Sequence, residues 1–181
     1  MERRNFLSQS LTSIGALAVG PMLSNSVFAA SAATNSAATS RAVKSSANKA
    51  REALVESDLV YLSPIKAGGK LSRCQAEVWF VMLGADAYVV TRGDSWRARA
   101  PRLGAAQTKI WVGDLGVWKR ANYQALPTIN ATARQVSEQH VTNAVLEQFS
   151  VKYASEWDKW GPRFRSGLAD GSRVVLKYQL S

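Results

Sequence analysis

The chain has 181 residues, a formal net charge of +10, 46% hydrophobic residues, one cysteine and one histidine, which fits a single domain. With Cys74 alone an internal disulfide is excluded, and Cys74 with His140 cannot supply a Cys/His zinc set, so no metal site is expected. The positive surplus points to an anionic partner: a phosphate-bearing cofactor, anionic lipid, wall polymer or nucleic acid.

At the N-terminus, Arg3-Arg4-Asn5-Phe6-Leu7 resembles the twin-arginine export signature. The mildly apolar stretch from Leu11 to Phe28 is broken by Gly15, Gly20 and Pro21. It is too short and too rich in Ser, Thr and Gly for a membrane span, which needs roughly 20 apolar residues. Small residues offer cleavage after Ala29 or after Ala32. The expectation is a signal peptide over 1–32 and a mature, periplasmic or otherwise exported chain without a transmembrane segment. An ordinary signal peptide or an amphipathic N-terminus are the alternatives. Export argues against nucleic acid as the partner. The twin-arginine route carries folded proteins, often with a cofactor loaded, and so favours a bound cofactor.

Residues 33–48 are dominated by Ala, Ser, Thr and Asn, a composition that reads as a disordered spacer before a domain over 49–181. Val43, Ala47, Ala50 and Leu54 recur at helical spacing, predicting a short helix to about Ser57. Residues 59–65 read as a strand closed by Pro64, followed by the turn Ala67-Gly68-Gly69-Lys70. Residues 74–83 read as one longer strand. Its face of Ala76, Val78, Phe80 and Met82 is apolar; Gln75, Glu77, Trp79 and Val81 are mixed. Gly84-Ala85-Asp86 turns the chain back through 87–91 as an antiparallel hairpin. Strands are expected at 107–114, around Pro127 and at 172–180. Ser137 is a candidate cap for a helix carrying Val141, Val145 and Phe149, and a second helix from Tyr153 is expected to stop at Gly161-Pro162. The pattern is an α+β domain, a small antiparallel barrel with flanking helices.

The segment after the hairpin, Thr91-Arg92-Gly93-Asp94-Ser95-Trp96-Arg97-Ala98-Arg99, combines hydroxyls with arginines. Hydroxyls donate to phosphate oxygens, and guanidinium groups bind them in charge-assisted, often bidentate fashion. Equally, Arg92, Arg97, Arg99 and Arg102 read as a solvated basic face. Glu77 reads as a general base, an ion-pair partner or an interface residue. Trp157 and Trp160 read as packing anchors, and Cys74 as a small core residue.

Trp79-Phe80-Val81 before the turn, Val89-Val90-Thr91 after it, the Ser/Arg loop and the later strand Ile110-Trp111-Val112-Gly113 together resemble the split β-barrel superfamily of pyridoxamine-phosphate-oxidase-like and deazaflavin-dependent nitroreductase-like proteins. Gly69-Lys70-Leu71-Ser72-Arg73 is similar to a turn of the deazaflavin branch. The resemblance covers residues 54–180. It implies a homodimer holding FMN, or alternatively a deazaflavin, for oxidoreductase work on a small-molecule substrate. It also implies phosphate contacts from Thr91, Ser95 and Arg97, with Lys70, Ser72 and Arg73 from the preceding turn. Val78, Trp79 and Phe80 would border the ring. It names no acid or base. Gln75 and Trp96 replace basic residues of the oxidase branch, which leaves open a degenerate site and a non-catalytic module binding an anionic ligand or envelope component. Haem-binding split barrels normally use a histidine ligand, and His140 alone argues against that branch.

Overall fold

Strands of alternating apolar and polar residues build the one sheet that organises the domain from Thr39 onward. The computed structural model describes residues 26–181, with side chains from Thr39 onward. The arginine pair and the expected leader over 1–32 lie outside the residues described with side chains. Helix α1 spans Ser26–Glu56. It contains the helix expected from Val43 and runs back through the alanine-rich stretch read as a spacer. Alanine is the strongest helix former, and the 43–48 portion also docks: the Thr128 N–H donates to the Ser46 hydroxyl at 2.9 Å.

Seven strands follow: β1 (Leu59–Pro64), β2 (Ala76–Trp79), β3 (Val81–Leu83), β4 (Asp86–Arg92), β5 (Gln107–Val112), β6 (Thr128–Val136) and β7 (Arg173–Leu180). They form one antiparallel sheet in the order β2-β1-β5-β6-β7-β4-β3. The two outermost strands are thus neighbours in sequence, separated by Phe80 alone. A sheet whose edges are joined by one residue must curl until they meet, which is the barrel. The strand expected over 74–83 is therefore two strands with different partners: Val78 pairs with Val60 of β1, whereas Val81 pairs with Tyr88 of β4. The β3–β4 hairpin forms as expected, with Gly84 at φ 62° in its turn, a conformation glycine adopts without a Cβ clash.

Inside the barrel lie Val60, Leu62, Phe80, Val89, Ile110, Ile129, Leu176 and Tyr178, plugged by Ala50 and Leu54 of α1. The other face of β3, β4 and β7, through Val81, Tyr88, Val90 and Val175, packs on helices α3 (Gln139–Lys152) and α4 (Ala154–Ala169). This is the small antiparallel α+β barrel that the alternation predicts, in the split form that the resemblance implies.

Two boundaries differ from expectation. Helix α3 is preceded by Glu138 at the cap position, not Ser137, and has no side-chain cap. Helix α4 continues through Pro162 to Ala169. Gly161, directly before it, lets the Trp157 ring lie against the backbone: a Cβ there would stand 2.7 Å from Trp157 Cε2. Aromatic contacts of Trp157 and Trp160 with Phe164 span the proline position and hold the helix together. Both tryptophans are packing anchors here. Among the described residues, no helix is long and apolar enough to cross a membrane, and no group of acidic, His or Cys residues is arranged to hold a metal.

Candidate functional site

The turn after β1 and the loop after β4 come together around a cavity of about 460 Å³ lined by Lys66, Ser72, Arg73, Cys74 and Trp96. The turn is tight because Gly68 and Gly69 take φ of 83° and 80°. The Lys66 N–H donates to the Lys70 carbonyl, and Ile65 bridges to Leu71. That closure swings Ser72 and Arg73 toward the second loop and leaves Lys70 exposed at the tip. Lys66, not Lys70, is the lysine that borders the cavity, a residue that sequence reasoning missed although it sits in the same turn. Ser72 is buried; its hydroxyl accepts the Cys74 N–H at 3.1 Å.

The second loop forms a short helix, α2 (Trp96–Arg99), running into a 3-10 turn over Ala100–Leu103. Ser95 caps it. Its hydroxyl donates to the Arg92 carbonyl at 2.7 Å and accepts the Ala98 N–H at 3.4 Å. Thr91, 7% exposed, brings its hydroxyl within 3.5 Å of the Ser95 oxygen. The structure therefore brings Thr91 and Ser95 together, but around the helix cap, where both hydroxyls serve the loop.

Trp96 and Arg97 are different. Trp96 Nε1 and Arg97 Nε are buried N–H groups with no acceptor, each costing on the order of 1–3 kcal/mol when unsatisfied. Trp96 lines the cavity. Arg97 is half-buried and its charge reaches Tyr178: burial pushes the Tyr178 hydroxyl well above its ordinary range, the Arg97 guanidinium pulls it partly back, and Cys74 adds to the rise. Arg97 is thus less exposed than the other arginines of the loop. Arg92, Arg99 and Arg102 are exposed, and Arg92 is paired with Asp94 at 2.6 Å.

The residues expected to border a ring divide. Phe80 is 0% exposed inside the barrel, and its N–H and carbonyl are both engaged by the Tyr153 hydroxyl at 3.0 and 2.8 Å. Its side chain and backbone are unavailable to a ligand. Val78 and Trp79 instead border a second cavity of about 430 Å³, with Trp160, Phe164 and Arg173 on its other side. Trp79 stacks on Tyr153 with centroids 4.4 Å apart and meets Trp160 edge-on at 5.9 Å. The two cavities flank opposite ends of the β2 segment, Cys74 bordering one and Trp79 the other. Glu77 accepts the Trp118 N–H at 3.3 Å, and Gln75 accepts the Tyr123 hydroxyl at 2.6 Å, so both serve the 113–127 loop. His140 is exposed in the first turn of α3.

No family model and no curated protein matches the chain. Solved structures do. The haem storage protein HutZ of Vibrio cholerae superposes with a TM-score of 0.51 at 18% identity, over 72% of this chain and 87% of that one. ChuZ of Campylobacter jejuni gives 0.52 at 12% identity, over 72% of this chain and 51% of its own. Atu2129 of Agrobacterium tumefaciens, a protein of unknown function, gives 0.51 at 14%, over 77% and 54%. Identities this low establish a shared fold; activity has to be argued from the site.

Proposed function

We propose that the chain is an exported split-barrel protein that binds a phosphorylated flavin-type nucleotide, FMN or a deazaflavin, and works as a homodimeric oxidoreductase on a small electrophile. The observation that carries this reading is the pair of buried, acceptorless N–H groups on consecutive residues, Trp96 Nε1 and Arg97 Nε. Trp96 lines the cavity together with Lys66, Ser72 and Arg73, and Arg97 follows it on the same short helix. A phosphate there satisfies donors that the fold leaves unpaired, and guanidinium and ammonium groups supply the opposite charge. The fold thus presents an anion with hydrogen-bond donors rather than a neutral ligand.

In this reading Arg73, Arg97 and Lys66 hold the phosphate, with the Ser72 hydroxyl as a further donor. Thr91 and Ser95 fix the loop that carries Trp96 and Arg97. Val78 and Trp79 offer an apolar and aromatic wall to a ring, backed by Trp160. Phe80 holds the strand crossover in place from within the barrel. The ring system supplies hydride or electron transfer when bound; the protein contributes anchoring, orientation and exclusion of water.

The test is a visible spectrum of protein purified from cells in which export is blocked. Flavin-like absorbance released on heating supports the proposal. A colourless protein that also ignores added FMN overturns it. One observation favours a second reading, a non-catalytic module for an anionic ligand: Gln75, at a position where the oxidase branch has an arginine, is bound to Tyr123 and gives nothing to the cavity. Under that reading phosphate-bearing ligands bind without redox turnover. Haem finds no such support, because the one histidine is exposed on α3.

A further inference from the structure

A cavity of about 630 Å³ is separate from the Ser72–Trp96 site. It lies between the end of β6, the start of β7 and helices α3 and α4. Arg102, Arg165 and Arg173 line it, along with Gln135, Thr142 and Asn143. No carboxylate borders it, and among the described residues none of the three arginines is in an ion pair. Three like charges around one space repel one another, so an arrangement without a counter-charge is poised for an anion.

Arg173 is positioned, not merely exposed. Its stem passes over Gly167, where a Cβ would stand 2.7 Å from its Cγ and Cδ, and its guanidinium lies 5.3 Å from the Phe164 ring centroid. The N-terminal turn of α3 opens on the same space, but there the Glu138 carboxylate accepts the Ser137 N–H at 3.0 Å and offsets the helix's partial positive charge, so the arginines alone supply the attraction.

We propose that this cavity is a second anion site, for a ligand carrying a diphosphate group. A single phosphate underuses three guanidinium forks. A volume of 630 Å³ falls in the range of small-ligand sites, roughly 300–1,000 Å³, and Gln135, Thr142 and Asn143 can hydrogen-bond whatever the diphosphate is attached to. Inorganic pyrophosphate and a nucleoside diphosphate present the same group, and the experiment separates them.

Titrate the full-length protein by calorimetry with inorganic pyrophosphate and with ADP at low and moderate salt. Binding should fall roughly tenfold in each of R102Q and R165Q. Arg173→Lys, which keeps the charge but loses the fork, should fall comparably. Arg120→Gln, an equal charge loss on an exposed loop, should leave the affinity unchanged. ADP binding more tightly than pyrophosphate assigns the rest of the cavity to the nucleoside; equal affinities assign the site to the bare diphosphate. No heat with either probe, or an Arg120→Gln loss as large as that of R165Q, overturns the proposal. Loss in Arg97→Ala alone assigns the binding to the first cavity and overturns it equally.

Discussion

The Tyr153 hydroxyl accepts the Phe80 N–H at 3.0 Å and lies 2.8 Å from the Phe80 carbonyl, so one side chain of the helical layer caps both backbone groups at the single residue where β2 gives way to β3. The Asp58 carbonyl lies 2.9 Å from the same oxygen. A hydroxyl has one proton, so the two carbonyls share it while the N–H donates in. The gap in the barrel is thereby closed from outside, and the stacking of Trp79 on Tyr153 continues the seal toward the second cavity.

Tyr153→Phe keeps that stacking and removes the oxygen. The Phe80 N–H is then buried without an acceptor, and the expected cost is about 2 kcal/mol. A denaturant titration should show a lower midpoint with an unchanged slope. An unaltered midpoint would mean that water or a backbone shift replaces the hydroxyl.

Alkaline pH should loosen the fold, beginning near the ordinary tyrosine value of 10.0. Burial raises both Tyr153 and Tyr178 above that value in the folded chain. Their contribution is complete below pH 10 and is lost as pH rises from there toward the folded-state values, because the unfolded chain gives up these protons first. The slope for each tyrosine is roughly 1.4 kcal/mol per pH unit. Lys152, held down by burial, acts in the opposite direction, favouring folding as pH rises toward its own normal range. Melting curves of wild type and Tyr153→Phe from pH 8 to 11 isolate the Tyr153 share: the variant should lose stability less steeply above pH 10.

Gly161→Ala sets two effects against each other. Alanine gains roughly 1 kcal/mol of helix propensity over glycine, while a Cβ placed 2.7 Å from Trp157 Cε2 crowds the ring one turn back on the same helix at a cost of about 1–3 kcal/mol. The ring is held edge-on to Phe164 and under Arg165, so the clash should win. The expected result is a lower melting temperature, with a changed tryptophan emission as Trp157 moves.

Ser95→Ala separates a cap from a ligand contact. Losing the bond to the Ala98 N–H should cost about 1 kcal/mol of stability. FMN affinity should fall far less than in Arg97→Ala. A loss of affinity equal to that of Arg97→Ala, with no change in stability, would return Ser95 to the phosphate.

Much of the barrel was legible because alternation survives folding. Val78, Phe80 and Met82 share the interior side, as the apolar face predicted, and Trp79 and Val81 turn to the helices. The break at Phe80 was illegible for the same reason: alternation reports which face a residue takes, not which strand it pairs with, and the period runs unbroken across the crossover. Ser95 reads two ways in the sequence because an N-cap and a phosphate ligand call for the same short hydroxyl. Pro162 misled because the tryptophans that carry the helix through it act across the i, i+4 spacing and through the core. The arginines of the large cavity come from three distant segments, at 102, 165 and 173, and only the fold assembles them.

The central claim is that the N–H groups of Trp96 and Arg97 receive a phosphate, and the affinity difference between FMN and riboflavin measures it directly. Fluorescence titration of the full-length protein should give FMN at least tenfold tighter than riboflavin, with the gap collapsing in Arg97→Ala while riboflavin affinity holds. Equal affinities for the two compounds in the wild type, or a gap untouched by Arg97→Ala, would contradict the account.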